Sequence, residues 1–161
     1  MTIQDEIVAN ITGQYKDDFR YLVAGSMQYP NSATGLFHVK QSGYVRDTLK
    51  HITDVETQIC LNQMVYAAFA QAIVDKAWER DALWNPLVGL DMPIYEGLMK
   101  DHMFIRESHK KFRRQINPAE PFYGTITLEK TGGRRGLYFA ELSFSLADNS
   151  ATGALSLAMN R

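Results

Sequence analysis

The chain has 161 residues, 45% hydrophobic and 22% charged, a globular balance that excludes a disordered chain and predicts one domain over residues 1–161. Its 17 Lys+Arg against 18 Asp+Glu leave a net charge of -1, which argues against a nucleic-acid partner. A single cysteine, Cys60, excludes an internal disulfide framework and a Cys-rich zinc site.

The N-terminal stretch carries acids from Asp5 onward and no long apolar run, so it does not read as a secretory signal. No segment approaches the roughly 20 apolar residues of a membrane span. A cytoplasmic protein without a membrane partner is the expectation. Residues 3–11 predict a short helix, and residues 19–26 and 34–40 predict strands around a turn at Pro30-Asn31-Ser32.

Thr53-Asp54-Val55-Glu56 has the Thr-x-x-Glu form of a capping box, in which hydroxyl and carboxylate satisfy orphan backbone N–H groups. The following run, TQICLNQMVYAAFAQAIVDKAWE, is apolar on nearly every face. It predicts a helix over about 54–76 that the rest of the chain must enclose. Residues 76–101 read as a helix end, a loop and a second helix. Four strands follow at 102–116, 121–131, 134–147 and 152–159, with turns at Asn117-Pro118, Gly132-Gly133 and Asp148-Asn149-Ser150. Tyr138, Ala140, Leu142, Phe144 and Leu146 alternate with mostly polar neighbours, the period of a half-buried antiparallel strand. One enclosed helix followed by an antiparallel meander predicts an α+β fold with the sheet wrapped around the helix, the hot-dog arrangement.

His51 lies just ahead of the predicted helix N-terminus, where N–H groups and the dipole favour developing negative charge. A thioester oxygen held there would be polarised, and His51 could move a proton; the plain alternative is a loop histidine. Asn62 and Tyr66, spaced i, i+4, share a helix face, either as a core polar pair or as groups that line a pocket. Tyr44, Arg46 and Thr48 alternate before His51, and Thr53 could both cap the helix and bond a ligand. Glu56 is explained more simply by the cap than by catalysis.

The basic run from His109 to Arg114 alternates within a strand pattern. It reads as a solvated face or as a landing site for a pantetheine or coenzyme A phosphate or an acidic carrier protein. His38, His102 and His109 lack metal-ligand spacing, and HExxH, Walker, GxGxxG and GxSxG motifs are missing. No metal or cofactor is expected.

Two blocks carry a family resemblance. Tyr44-Val45-Arg46 through His51-Ile52-Thr53-Asp54-Val55-Glu56, then Cys60 to Ala70, resembles the FcoT-like family, fatty acyl-CoA thioesterases type III with a hot-dog fold. Phe104-Ile105-Arg106 and Lys111 to Pro118 resemble the same family and, more loosely, a strand of hot-dog dehydratases. The resemblance implies a pocket at Tyr44, His51, Asn62 and Tyr66 that Tyr15 approaches. It also implies a second chemistry, since some family members add glycine to an α,β-unsaturated acyl thioester and then cleave the thioester. By the same resemblance Thr53 stands where the mycobacterial-type thioesterase of the family carries Asn, and one extra residue lies between Thr48 and His51. Asn62 occupies the position at which many hot-dog enzymes carry a carboxylate, and an amide cannot act as a general base.

The expected activity is therefore Michael addition of glycine to an enoyl thioester on a carrier protein or coenzyme A, with hydrolysis second. His51, Thr53, Asn62 and Tyr66 would be catalytic. Tyr15, Tyr44, Arg46, Arg106 and Arg113 would bind substrate. The active form expected from the fold is a homodimer. A plain acyl thioesterase and a non-catalytic acyl-carrier binding protein are the alternatives.

Overall fold

The computed structural model describes residues 1–40, 44–47 and 49–161. In chain order the elements are α1 (Asp5–Gly13), β1 (Leu22–Gln28), β2 (Ser32–Phe37), α2 (Asp54–Val74), α3 (Met92–Asp101), β3 (Met103–Phe112), β4 (Phe122–Arg134), β5 (Leu137–Leu146) and β6 (Ala151–Asn160). The strands form one six-stranded sheet in the order β1-β2-β4-β5-β6-β3, and every neighbouring pair is antiparallel. The expected α+β architecture is present, with α2 packed against β1, β2 and β4 and flanked by α1 and α3. No helix among the described residues is long and apolar enough to cross a membrane.

Helix α2 begins where the capping box places it. Thr53 is extended, with φ -98° and ψ -178°, and both halves of the box are made. The apolar run then buries Cys60, Leu61, Met64, Val65 and the residues from Ala67 to Ile73. One stripe stays half-open: Gln58, Asn62 and Tyr66, spaced by four, are partly accessible, so the helix is enclosed on all sides but one.

Buried glutamines on α2 fasten the N-terminal elements. Gln63 takes the N–H groups of Tyr21 and Leu22, and Gln71 takes that of Gln4. The segment after α2 folds as two 3-10 turns, Ala77–Glu79 and Ala82–Leu87, before α3. Trp84 is buried there, donating its indole N–H to Pro30 O at 2.7 Å and meeting Phe69 edge-on at 5.7 Å between centroids.

The turn expected at Gly132-Gly133 lies instead at Arg135-Gly136. Both of these residues have positive φ, 53° and 83°, as a two-residue hairpin turn matched to strand twist requires. Gly132 and Gly133 belong to β4, opposite Phe139 and Tyr138. Those rings lie across them: an added Cβ would sit 2.7 Å from Phe139 Cζ and 2.5 Å from Tyr138 Cδ1. The pair is glycine because the cross-strand aromatics need the space, not because the chain reverses there. The first strand of the meander also stops sooner than expected, at Phe112.

Candidate active site

The site is built from two segments that meet at the N-terminus of α2. The approach to the helix contributes His51, Ile52, Thr53 and Asp54, and the exit from β3 contributes Phe112, Arg113, Arg114 and Gln115; between them lies an open cleft of about 400 Å³. Backbone bonds hold the walls in place, from Ile52 N–H to Ile116 O at 2.9 Å and from Arg113 N–H to Ser150 O at 2.7 Å. Arg114 donates to Asp148 O at 2.6 Å.

Lys110 reaches Asp54 at 2.9 Å, and its side chain is only 8% exposed. This lysine belongs to the basic run, yet it faces α2. The reason is a bulge: pairing of β3 with β6 slips between Ile105 and Glu107, and one extra residue reverses which side chains point inward. Ser108 and Lys110 thus look toward the helix.

At the helix start a compact hydrogen-bonded group forms. Glu56 Oε2 accepts the Thr53 N–H at 2.9 Å and also the Thr53 hydroxyl. Thr53 Oγ1 accepts the Val55 N–H at 3.2 Å. The Tyr44 hydroxyl enters from the preceding loop, 2.5 Å from Thr53 Oγ1 and 3.3 Å from Glu56 Oε2. Loss of solvation is the first cause that raises the Tyr44 pKa; the Thr53 bond opposes it and Glu56 adds to it.

Further along the open stripe, Ser108 Oγ donates to Gln58 Oε1 at 2.8 Å, and Gln58 Nε2 donates to Asn62 Oδ1 at 2.8 Å. Asn62 is therefore tied to β3 through Gln58 rather than to loop backbone. Beyond it, Tyr95 donates to Tyr66 O at 3.0 Å, and Tyr15, Tyr66 and Tyr95 form a cluster of phenols. Burial raises the pKa of all three; the charge of Tyr66 adds to the effect at Tyr15 and at Tyr95.

His51, Thr53 and Arg113 thus share one cleft, and Tyr44 joins them through Thr53. Asn62 and Tyr66 lie on the same stripe but further along, about 13 Å and 20 Å from Thr53 at 1.5 Å per residue, with Tyr15 beside Tyr66. Arg46 is exposed in the turn that holds Tyr44. Arg106 lies at the bulge and lines a separate depression with Glu107, His109, Glu129 and Glu141, so it does not join the cleft. Thr48, expected to face the side of Tyr44 and Arg46, lies outside the described residues. Among the described residues no three His, Cys, Asp or Glu side chains are grouped to hold a metal ion.

Sequence reasoning passed over Gln58, Ser108 and the full reach of Glu56, and it did not set Lys110 apart from the rest of the basic run. The spacing of Asp54, Gln58, Asn62 and Tyr66 on an otherwise apolar helix was a signal for the stripe, because steps of four keep polar groups on one face.

The model of the FcoT-like thioesterase domain matches residues 10–159. The chain belongs to this family. A relative from Mycobacterium marinum named (2E)-enoyl-ACP glycyltransferase is 31% identical over 122 residues, which are 73% of this chain and 62% of that protein. A protein of the same name from Mycobacterium tuberculosis H37Rv is 29% identical over 122 residues, 73% of this chain and 63% of its own length. The matched region thus spans under two thirds of these mycobacterial relatives. One from Streptomyces coeruleorubidus, again of that name, is 24% identical over 160 residues, 91% of this chain and 89% of that protein. Among solved structures, zebrafish thioesterase superfamily member 2 superposes with a TM-score of 0.52 at 12% identity, covering 96% of this chain and 92% of that one. A sigma28-regulated virulence protein from Campylobacter jejuni gives 0.52 at 8% identity, over 98% and 92% of the two chains. This FcoT-like chain has the hot-dog fold of the thioesterases.

Proposed function

We propose that the chain, with residues 1–161 working as one domain, adds the amine of glycine to the β-carbon of an α,β-unsaturated acyl thioester. The product is an N-carboxymethyl-3-aminoacyl thioester, and thioester hydrolysis is the second activity. The observation that carries the reading is the convergence of His51, Thr53 and Arg113 on one cleft at the N-terminus of α2, in a family member whose relatives are named enoyl-ACP glycyltransferases.

In this reading the positive dipole end of α2 faces the thioester oxygen and stabilises the enolate that forms when the amine attacks. His51 takes the proton of the glycine ammonium and returns it to the α-carbon. Arg113, across the cleft, offers a fork to a carboxylate or phosphate. The acyl chain runs along the half-open stripe past Asn62 toward Tyr66 and Tyr15, whose amide and phenols orient substrate. The half-open residues further along the helix, Gln58, Asn62 and Tyr66, include no carboxylate, Glu56 is turned into the cap, and Asp54, which lines the cleft, is paired with Lys110 at 2.9 Å. That inventory favours addition, which needs no attacking side chain, over carboxylate-driven hydrolysis. The thioester arrives on a carrier protein or coenzyme A, and the active form is a pair of chains.

A plain acyl thioesterase using the same cleft for water is the second reading, favoured by the family's description as a thioesterase domain. Short and medium enoyl thioesters, incubated with and without glycine and followed by mass spectrometry, separate the two. A product heavier by one glycine is expected; free acid alone, indifferent to glycine, would retire addition. His51→Ala should lower the addition rate by about 10²–10⁴-fold with the fold intact, and a variant of full activity would remove His51 from the mechanism.

A further inference from the structure

Glu56 is fully buried, and its carboxylate does more than cap a helix. Capping requires only the bond from the Thr53 N–H, yet the same oxygen also takes the Thr53 hydroxyl and lies 3.3 Å from the Tyr44 hydroxyl. Both hydroxyls face Glu56 Oε2 as donors to it. The Thr53 proton is therefore committed to Glu56. Thr53 Oγ1 receives the Val55 N–H as well, so at its 2.5 Å contact with Tyr44 the proton on offer is that of Tyr44. The Tyr44 O–H points inward, on a residue that is 45% exposed.

We infer that Glu56 is a positioning residue that fixes Tyr44 as a hydrogen-bond acceptor, and that this acceptor receives an N–H of the incoming glycine amine. The inference rests on the glycine-addition reading above. A neutral amine carries two N–H donors and one lone pair. Binding one N–H to Tyr44 leaves the lone pair to be aimed at the β-carbon. The nitrogen pair forms the C–N bond, the π pair of the alkene moves toward the α-carbon and thioester oxygen, and the proton lost from the ammonium returns through His51 to the α-carbon. Nothing leaves, and Tyr44 neither gives nor takes a proton. An outward O–H on Tyr44 would repel the amine hydrogens and favour a carbonyl instead. Glu56→Gln creates that state, because an amide nitrogen can donate to Thr53 or Tyr44 and release the phenol proton outward.

The test is the glycine KM at saturating enoyl thioester, with glycine binding to the substrate-free protein measured by calorimetry. The proteins are wild type, Glu56→Gln, Tyr44→Phe and the double variant, each checked by thermal melting. Each single variant should raise the glycine KM about tenfold, the worth of one hydrogen bond, with a smaller change in kcat. The double variant should be no worse than Tyr44→Phe. Where Glu56→Gln fails to fold, Thr53→Val breaks the same relay. A wild-type glycine KM in Tyr44→Phe, or additive effects in the double variant, overturns the inference and leaves the addition reading standing. Glycine binding without adduct, weakened in the variants, supports the amine site and overturns addition. Neither binding nor adduct in the wild type overturns both.

Discussion

Replacing Gln63 by leucine tests how the helix holds the sheet edge. Gln63 is fully buried in the middle of α2. Its Oε1 accepts the N–H groups of Tyr21 at 3.0 Å and Leu22 at 2.9 Å, and its Nε2 donates to Phe19 O at 2.6 Å. These three bonds tie the start of β1, an edge strand, to the core helix. Leucine has nearly the same volume, so packing is kept while the polar partners are stripped. Each of the two buried N–H groups left unpaired costs about 1–3 kcal/mol, and the partly buried Phe19 carbonyl adds less. Burying leucine in place of an amide returns about 1 kcal/mol. The net loss is about 2–4 kcal/mol, which for a chain of this size lowers Tm by roughly 5–15 °C. Urea unfolding followed by tryptophan fluorescence reads it as a shifted midpoint with an unchanged slope. A loss below about 1 kcal/mol would refute the reasoning, since it would mean that water or a shifted backbone satisfies these groups at little cost.

Two further outcomes follow from single observations. In Gly153→Ala the new Cβ would stand 1.9 Å from His109 O, a backbone atom that cannot swing aside, so the β3–β6 ladder must open at a cost of about 1–3 kcal/mol or more; faster amide exchange along β3, which carries Lys110, checks this, and unchanged exchange would contradict it. The phenols of Tyr15, Tyr21, Tyr29, Tyr66 and Tyr95 all have their pKa raised from 10.0, in each case first by burial. The folded state therefore holds protons that the unfolded state releases, so stability is present in full below pH 10 and is lost as pH climbs toward the higher folded values. Ultraviolet titration in which these phenols ionise near 10 without unfolding would contradict it.

Where local chemistry decides, the sequence was legible. The capping box places the start of α2 because the bonds span only Thr53 to Glu56. The alternation from Ala140 to Leu146 places β5 because burial on one sheet face repeats every second residue. The turn at Gly132-Gly133 misled because glycine is equally the residue that lets a cross-strand ring lie over a strand, and only the pairing with Phe139 and Tyr138 distinguishes the two uses. Within residues 76–101 the second helix was legible but the 3-10 turns were not, because they are held by distant partners, such as Pro30 for Trp84.

The candidate site divides along the same line. His51, Thr53 and the helix end that stabilises negative charge sit within a few residues of one another, so the order of residues alone announces them. Arg113 and Lys110 reach the same end of α2 only after the chain has passed through α3 and β3. A one-residue bulge at Arg106, a feature of strand pairing, decides that Lys110 and Ser108 face the helix while Arg106 lines another depression. By itself the sequence determined the enclosed helix, the meander and the chemistry at the helix start, because caps and periodicities are short-range constraints. Only the tertiary structure decided which charges meet that helix and which hydroxyl hydrogens Glu56 draws inward, because register and burial depend on partners far away in the chain.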